Sequence, residues 1–252
     1  MTPPSPSLER RAFVRAAGAV AIGASVAGCL GTWGDGNDAV VLDEPDGYER
    51  AKDAAVAWPI YGESLPEATV HAPLHDRTVT STEFVGERHA LFTFIFTRCP
   101  GACPGLMAAL RHVQDDSIER GYEDEVVFMP ITFDPEHDTA DVLATYEETY
   151  GVDRGAENWY TLRPTSHEDA KEVVEETFGC GFERMEVADE DGHGDHDEGD
   201  GHGDHDGHDM EFMHATLLIL ANKDGYVERA YAGEVPNPSV VVDDTRTVVE
   251  EW

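Results

Sequence analysis

FTRCPGACPGL, residues 96–106, sets two cysteines, Cys99 and Cys103, four positions apart and follows each with a proline. Before it runs HALFTFIFT (89–97), mostly apolar and rich in aromatics, the pattern of a central strand buried on both faces. After it, PGLMAALRHVQDDSIERG reads as a helix that ends at Gly121. Strand, cysteine loop and helix in that order place the two thiols at the positive end of a helix dipole, where the thiolate is favoured. Pro100 and Pro104 fix φ and donate no hydrogen bond, which suits a rigid loop entering a helix. A spacing of four puts both sulfurs near one face of a single turn. So placed, they can close a disulfide or clasp one soft metal ion.

Thiolates select copper(I), zinc or iron–sulfur. Zinc and clusters ordinarily take four protein ligands, and only two cysteines lie close together here, so copper(I), content with two or three, fits best. A third ligand has to come from elsewhere in the fold. His214, at the entrance of the apolar run ATLLIL, is the candidate. The remaining cysteines are Cys29 and Cys180. With Cys29 in the N-terminal segment, one close pair and one lone thiol remain, which excludes a framework of stapling disulfides. Cys180, in TFGCGFE, reads as a small buried hydrophobe.

Outward from the motif, strand-like and helical stretches alternate. TVHAPLHDRTVTSTEF suggests a hairpin and EVVFMPITF a second buried strand. DPEHDTADVLATYEETYG and SHEDAKEVVEETFG read as helices, the latter capped by Ser166, and NWYTLRP between them as a strand. FMHATLLILANKDGYVERAYAG reads as two strands joined at Lys223-Asp224-Gly225, and PSVVVDDTRTVVEEW as a closing helix. The pattern predicts an α/β fold, a mixed sheet flanked by helices. Residues 30–67 show little periodicity and are expected to be a tether before a domain over 68–252.

The first 29 residues are an address. ERRAFVRAAGAVAIGASVAGC resembles a twin-arginine export signal, with Arg10 and Arg11, ending in a lipobox at Val26-Ala27-Gly28-Cys29. The apolar stretch is short for a membrane span, and an uncleaved anchor helix is the alternative. Either reading expects the domain at the extracytoplasmic face of the membrane, and the lipobox expects a lipid on Cys29.

Acidic and basic residues number 52 and 17 in a chain of 252, for a net charge of −35. Such self-repulsion opposes compaction at low ionic strength, but at molar salt the Debye length falls to about 3 Å and the repulsion fades. The composition therefore implies a salt-rich setting and a halophilic prokaryote, and it argues against nucleic-acid binding. Between Asp189 and Asp209 the chain nearly repeats itself, GHGDHDEGD then GHGDHDGHD, and carries His193, His196, His202, His205 and His208. Without apolar residues this stretch is a solvated loop, and its imidazoles and carboxylates suit accessory copper(II) or zinc.

Three blocks, FTFIFTRCPGACPGLMAAL, ITFDPEHDT and FMHATLLILANKDGYVERAYAG, resemble in order and spacing the signature blocks of the Sco/SenC family, over roughly residues 68–252. The histidine-rich insertion is no part of that pattern. The resemblance implies a thioredoxin-like fold and copper, as Cu(I) or Cu(II), held by Cys99, Cys103 and His214. It implies a metallochaperone that delivers copper to the dinuclear copper centre of a haem–copper oxidase, with the copper-site subunit as partner. Asp134 of ITFDPEHDT matches a family aspartate near the site, although its residue type also suits a helix N-cap for Glu136 onwards. A second reading makes Cys99 and Cys103 the redox pair of a thiol–disulfide oxidoreductase that keeps the oxidase cysteines reduced. A third, a peroxidase of the same fold, needs a dedicated cysteine with an arginine beside it, and Arg98 is the only obvious neighbour.

Overall fold

The structure, a computed structural model, describes residues 39–184 and 212–252. The expected signal, the expected lipobox with Cys29 and the histidine-rich stretch therefore lie outside the described residues. The rest is an α/β, thioredoxin-like fold.

Two long, fully buried strands lie side by side in it. β3 (His89–Ile95) and β4 (Val126–Thr132) run parallel, in register from His89↔Val126 to Ile95↔Thr132. Burial on both faces is why these runs are continuously apolar rather than alternating. β7 (Leu217–Ala221) joins β3 antiparallel and β8 (Val227–Ala232) joins β7, giving the order β4-β3-β7-β8. The mixed sheet is thus as expected. The hairpin at its flank is β1 (Thr69–Ala72) with β2 (Arg77–Thr80). NWYTLRP forms no independent strand. It lies along the free side of β4 through Phe128 N–H to Asn158 O and Leu162 N–H to Pro130 O, each 2.8 Å, so its strand-like pattern reflects edge pairing in isolated bridges.

The helix after the cysteine loop, α2 (Cys103–Arg120), ends at left-handed Gly121 and packs against α5 (Pro238–Glu251). α3 (Ala140–Thr149) is capped by the Thr139 hydroxyl. The Asp134 N-cap reading is therefore wrong: the helix starts later, and Asp134 is drawn into the interior by arginines. Ser166 does cap α4 (His167–Ala170), accepting from Asp169 N–H at 3.1 Å, and the helix widens into a π turn over Lys171–Thr177. Two short strands, β5 (Phe182–Arg184) and β6 (Phe212–His214), pair antiparallel at the two ends of the undescribed connection.

The expected tether does not describe residues 39–67. They contain α1 (Tyr48–Ala54) and bury Leu42, Ile60, Tyr61 and Leu65. Their backbone is bonded to the domain: the fully buried Glu228 carboxylate accepts from Val41 and Leu42 N–H, and Gly62 N–H donates to Val227 O at 2.9 Å. Buried backbone donors need such partners, and a pairing supplied by a distant strand leaves no local periodicity to read. The same segment closes on α4. At left-handed Gly179 (φ 69°), a Cβ would stand 2.2 Å from the Ala57 carbonyl carbon, so only glycine admits this contact.

Candidate metal centre

The cysteine loop leaves the carboxyl end of β3, where open α/β sheets place their sites. Cys99 lies in the loop, half-buried, and Cys103 opens α2 with no exposed surface. β6 brings His214 to them from more than a hundred residues away. Its Nε2 lies 3.7 Å from Cys99 Sγ and 3.6 Å from Cys103 Sγ. The two motif cysteines and the distant histidine are thus one constellation.

Its spacing is chemically telling. Metal bonds of about 2.3 Å to sulfur and 2.0 Å to imidazole nitrogen, opened by about 120°, set the donors about 3.7 Å apart. Three soft-to-borderline donors so arranged fit a small thiophilic ion, and a d¹⁰ copper(I) ion is satisfied by three. The imidazole is already oriented. Its Nδ1 lies 2.9 Å from Ala215 O, and because a carbonyl only accepts, Nδ1 carries the hydrogen and Nε2 is the nitrogen aimed at the sulfurs. Phe96 and Phe133 pack against the ring, at centroid distances of 5.8 and 5.1 Å. An open cleft of about 610 Å³, lined among others by Cys99, Pro100, Met213 and His214, leads to the site.

The two thiols are electrostatically unlike. Cys99 is lowered to about 4, first by the hydrogen bond from the Cys103 thiol, with burial opposing and His214 and the Gly101 N–H assisting. Cys103 is pushed far up by the same shared hydrogen and by burial. Burial works against charge on His214, but the hydrogen bonds to Cys99 and to Ala215 O outweigh it and raise its pKa. The pair therefore holds one thiolate, on the accessible sulfur.

Buried carboxylates anchor the loop. Asp134, 1% exposed, receives Arg98 at 2.7 Å, while Arg184 of β5 stands 3.7 Å from its other oxygen. Asp134 therefore links the residue before Cys99 to the strand facing His214. Asp138 accepts from Thr97 N–H at 3.1 Å, from the hydroxyls of Thr97 and Thr132, and from His137 Nδ1 at 3.0 Å. Asp134, His137 and Asp138 form a second cluster with metal-ligand chemistry, but protein donors occupy the Asp138 oxygens. Sequence reading missed Asp138 and Arg184. DPEHDT offered the first as a residue type only, and nothing marked the second. Arg98 is tied to Asp134, so the cationic partner that the peroxidase reading requires is already engaged. Cys99, Cys103 and Cys180 are free thiols. Among the described residues, no helix is long and apolar enough to cross a membrane.

A thioredoxin-like domain whose strand–loop–helix junction carries two thiols facing an imidazole defines a class of thiol and metal proteins. The SCO1/SenC family model matches residues 73–250, and the chain belongs to that family. Among solved structures it is similar to a SCO1/SenC family lipoprotein from Bacillus anthracis, at 18% identity and TM-score 0.53 over 76% of this chain and 95% of that one. It is similar to Arabidopsis thaliana ScoI, solved with copper bound, at 17% identity and TM-score 0.52 over 75% and 98%. BsSco, described by its disulfide switch and as a member of the Sco family of cytochrome c oxidase assembly proteins, shares 20% identity at TM-score 0.52 over 79% and 99%. At such identities the likeness concerns the fold. No curated protein matches the chain.

The asymmetry of the thiols is open to measurement. Alkylation of metal-free protein by iodoacetamide, followed residue by residue by mass spectrometry, should label Cys99 first. Thiolate is the reactive form, so an ordinary thiol slows about tenfold per pH unit below about 8.5. The Cys99 rate should instead stay level through mildly acidic pH and fall only as pH drops through about 4. Cys180, raised by burial to about 12, should remain unlabelled while the fold is intact.

Proposed function

We propose that this chain is a copper chaperone anchored at the extracytoplasmic face of the membrane, which delivers copper to the dinuclear copper centre of a haem–copper oxidase. The convergence of Cys99, Cys103 and His214 carries the reading. Copper is the cargo. The Cys99 thiolate on the accessible side receives it, Cys103 closes the chelate from the interior, and His214 adds the donor that suits copper(II) as well as copper(I). The open cleft leaves the loaded ion reachable by a partner's ligands. Membership of the SCO1/SenC family and the description of BsSco as belonging to a family of oxidase assembly proteins support the target.

A thiol–disulfide reductase acting on the oxidase cysteines is favoured by one observation, the pairing of an accessible low-pKa thiol with a buried one. The attacking sulfur would be Cys99 and the resolving sulfur Cys103. His214 separates the two readings, because a dithiol exchange does not need a third ligand. Cells carrying His214→Ala, Cys99→Ser or Cys103→Ser should all lose oxidase copper loading if the protein carries copper. Near-normal oxidase activity in His214→Ala, with loss in both cysteine variants, would make it a reductase.

The twin-arginine pattern and the lipobox support export of the folded chain and anchoring through a lipid on Cys29. The acidic composition supports a salt-rich, halophilic setting in which the exported domain keeps its fold. Fractionation of a Cys29→Ser strain should find the protein released from the membrane or held as precursor. A correctly cleaved chain still bound to membrane would exclude the anchor.

The stretch from Asp189 to Asp209, with His193, His196, His202, His205 and His208, joins the ends of β5 and β6, the latter carrying His214. That connectivity supports a role in gathering copper(II) or zinc for the chelate. Protonation of imidazole near pH 6.5 would release such metal. Deleting residues 189–209 should lower total bound metal, measured by plasma emission spectrometry, and leave one tight copper site. Undiminished stoichiometry would reduce the stretch to an acidic spacer.

A further inference from the structure

Cys180 is fully buried, lies outside the chelate and is used by neither reading of the site. Its surroundings give it a task. α4 ends in a π turn, left-handed Gly179 turns the chain against Ala57 and Trp58, and Cys180 N–H reaches back to Val174 O at 2.9 Å. This places Cys180 and Gly181 directly behind the residue that follows His214. Gly181 O accepts from Ala215 N–H at 2.8 Å, and Cys180 Sγ lies 3.2 Å from Ala215 O. Residue 215 is therefore held at its N–H and at its C=O by two consecutive residues. The same Ala215 oxygen is the acceptor for His214 Nδ1 at 2.9 Å. A carbonyl has two lone pairs, so it can take the thiol and the imidazole together.

We propose that Cys180 is a positioning residue for the metal centre: its thiol steadies the Ala215 carbonyl, and that carbonyl holds the tautomer and ring orientation of His214. The inference rests on the reading of Cys99, Cys103 and His214 as a copper chelate. A partner on the far nitrogen of a ligating histidine decides which nitrogen is free for metal, and losing such a partner typically costs 10- to 100-fold in metal affinity. Ala215 itself is exposed, so solvent can compete for its carbonyl. The Cys180 donor comes from the buried side, where water cannot replace it.

A cysteine that merely filled space would be replaced better by alanine than by serine, because serine buries a hydroxyl. A cysteine that donates is replaced better by serine. The full chain with Cys180→Ala or Cys180→Ser, each without metal, should first be compared with wild type by ¹⁵N NMR of the His214 ring at a pH where the ring is neutral. Wild type and Cys180→Ser should show the Nδ1–H tautomer, and Cys180→Ala a mixture. Loaded with copper(I) or copper(II) alone, Cys180→Ala should then bind about tenfold more weakly in competition with a chelator. Its copper(II) thiolate charge-transfer band should shift, and Cys180→Ser should recover most of both losses. If Cys180→Ala does not fold, the isosteric pair Cys180→Val and Cys180→Thr makes the same comparison. Wild-type behaviour in the variant without a donor, or equal loss in both members of a pair, overturns the proposal. A wild-type chain that takes up no copper would count against the chelate reading, while the tautomer of the metal-free protein still judges Cys180.

Discussion

The carboxylate of Asp138 holds the site together before any metal is considered. Fully buried, it collects the Thr97 N–H and hydroxyl at the end of β3 and the Thr132 hydroxyl at the end of β4. A buried charge without hydrogen bonds costs several kcal/mol, so the two strand ends and the start of the DPEHDT turn are drawn to one point. The cysteine loop departs from there. Its first side chain, Arg98, is turned inward to Asp134, so Cys99 leaves the sheet in a set direction. The loop can be short and rigid because its root is fixed by side chains outside it.

His214 arrives from the other side by different means. Among the described residues, β5 and β6 form three cross-strand pairs, Phe182↔His214 to Arg184↔Phe212. They are held down by aromatic packing: Phe212 and Phe182 meet Phe133, and Phe212 meets Phe96, at centroid distances of 4.8–5.5 Å. Arg184 adds a charged contact to Asp134 on which Arg98 also converges. The strand carrying the histidine is thus registered against the loop carrying the cysteines through one shared buried carboxylate. The connection over residues 185–211 therefore starts and ends next to a paired couple, Arg184 and Phe212.

Charge divides the protein into two regimes. Its surplus carboxylates give the chain −35 overall, yet two of the buried ones, Glu228 and Glu147, are satisfied individually. Glu228 accepts Val41 and Leu42 N–H and the Asn222 amide, and Glu147 accepts Arg154 and the Thr161 hydroxyl. The thiolate of Cys99 is stabilised at short range, first by the Cys103 thiol, with the Gly101 N–H assisting.

Much of this was legible in the residues. Continuous apolar runs marked β3 and β4, a glycine stop marked the end of α2, and the spacing of two cysteines at a strand–helix junction marked the thiol pair that meets His214. These are local signals, since a strand buried on both faces and a helix terminus each have a pattern that fits within one window of sequence. His214 was legible only as a histidine at a strand entrance, and the fold supplied its contact with the sulfurs. Asp134 looked like a helix cap and proved to be a buried side chain paired with Arg98 and faced by Arg184. Residues 39–67 looked unstructured because their partners, Glu228 and the β8 backbone, lie far along the chain. Cys180 looked like filler until the end of α4 set its thiol on the carbonyl behind His214. By itself the sequence determined which residues could bind or exchange at this site. Tertiary structure decided which of them meet, because hydrogen bonds to distant backbone and pairing of buried charges leave no periodicity behind.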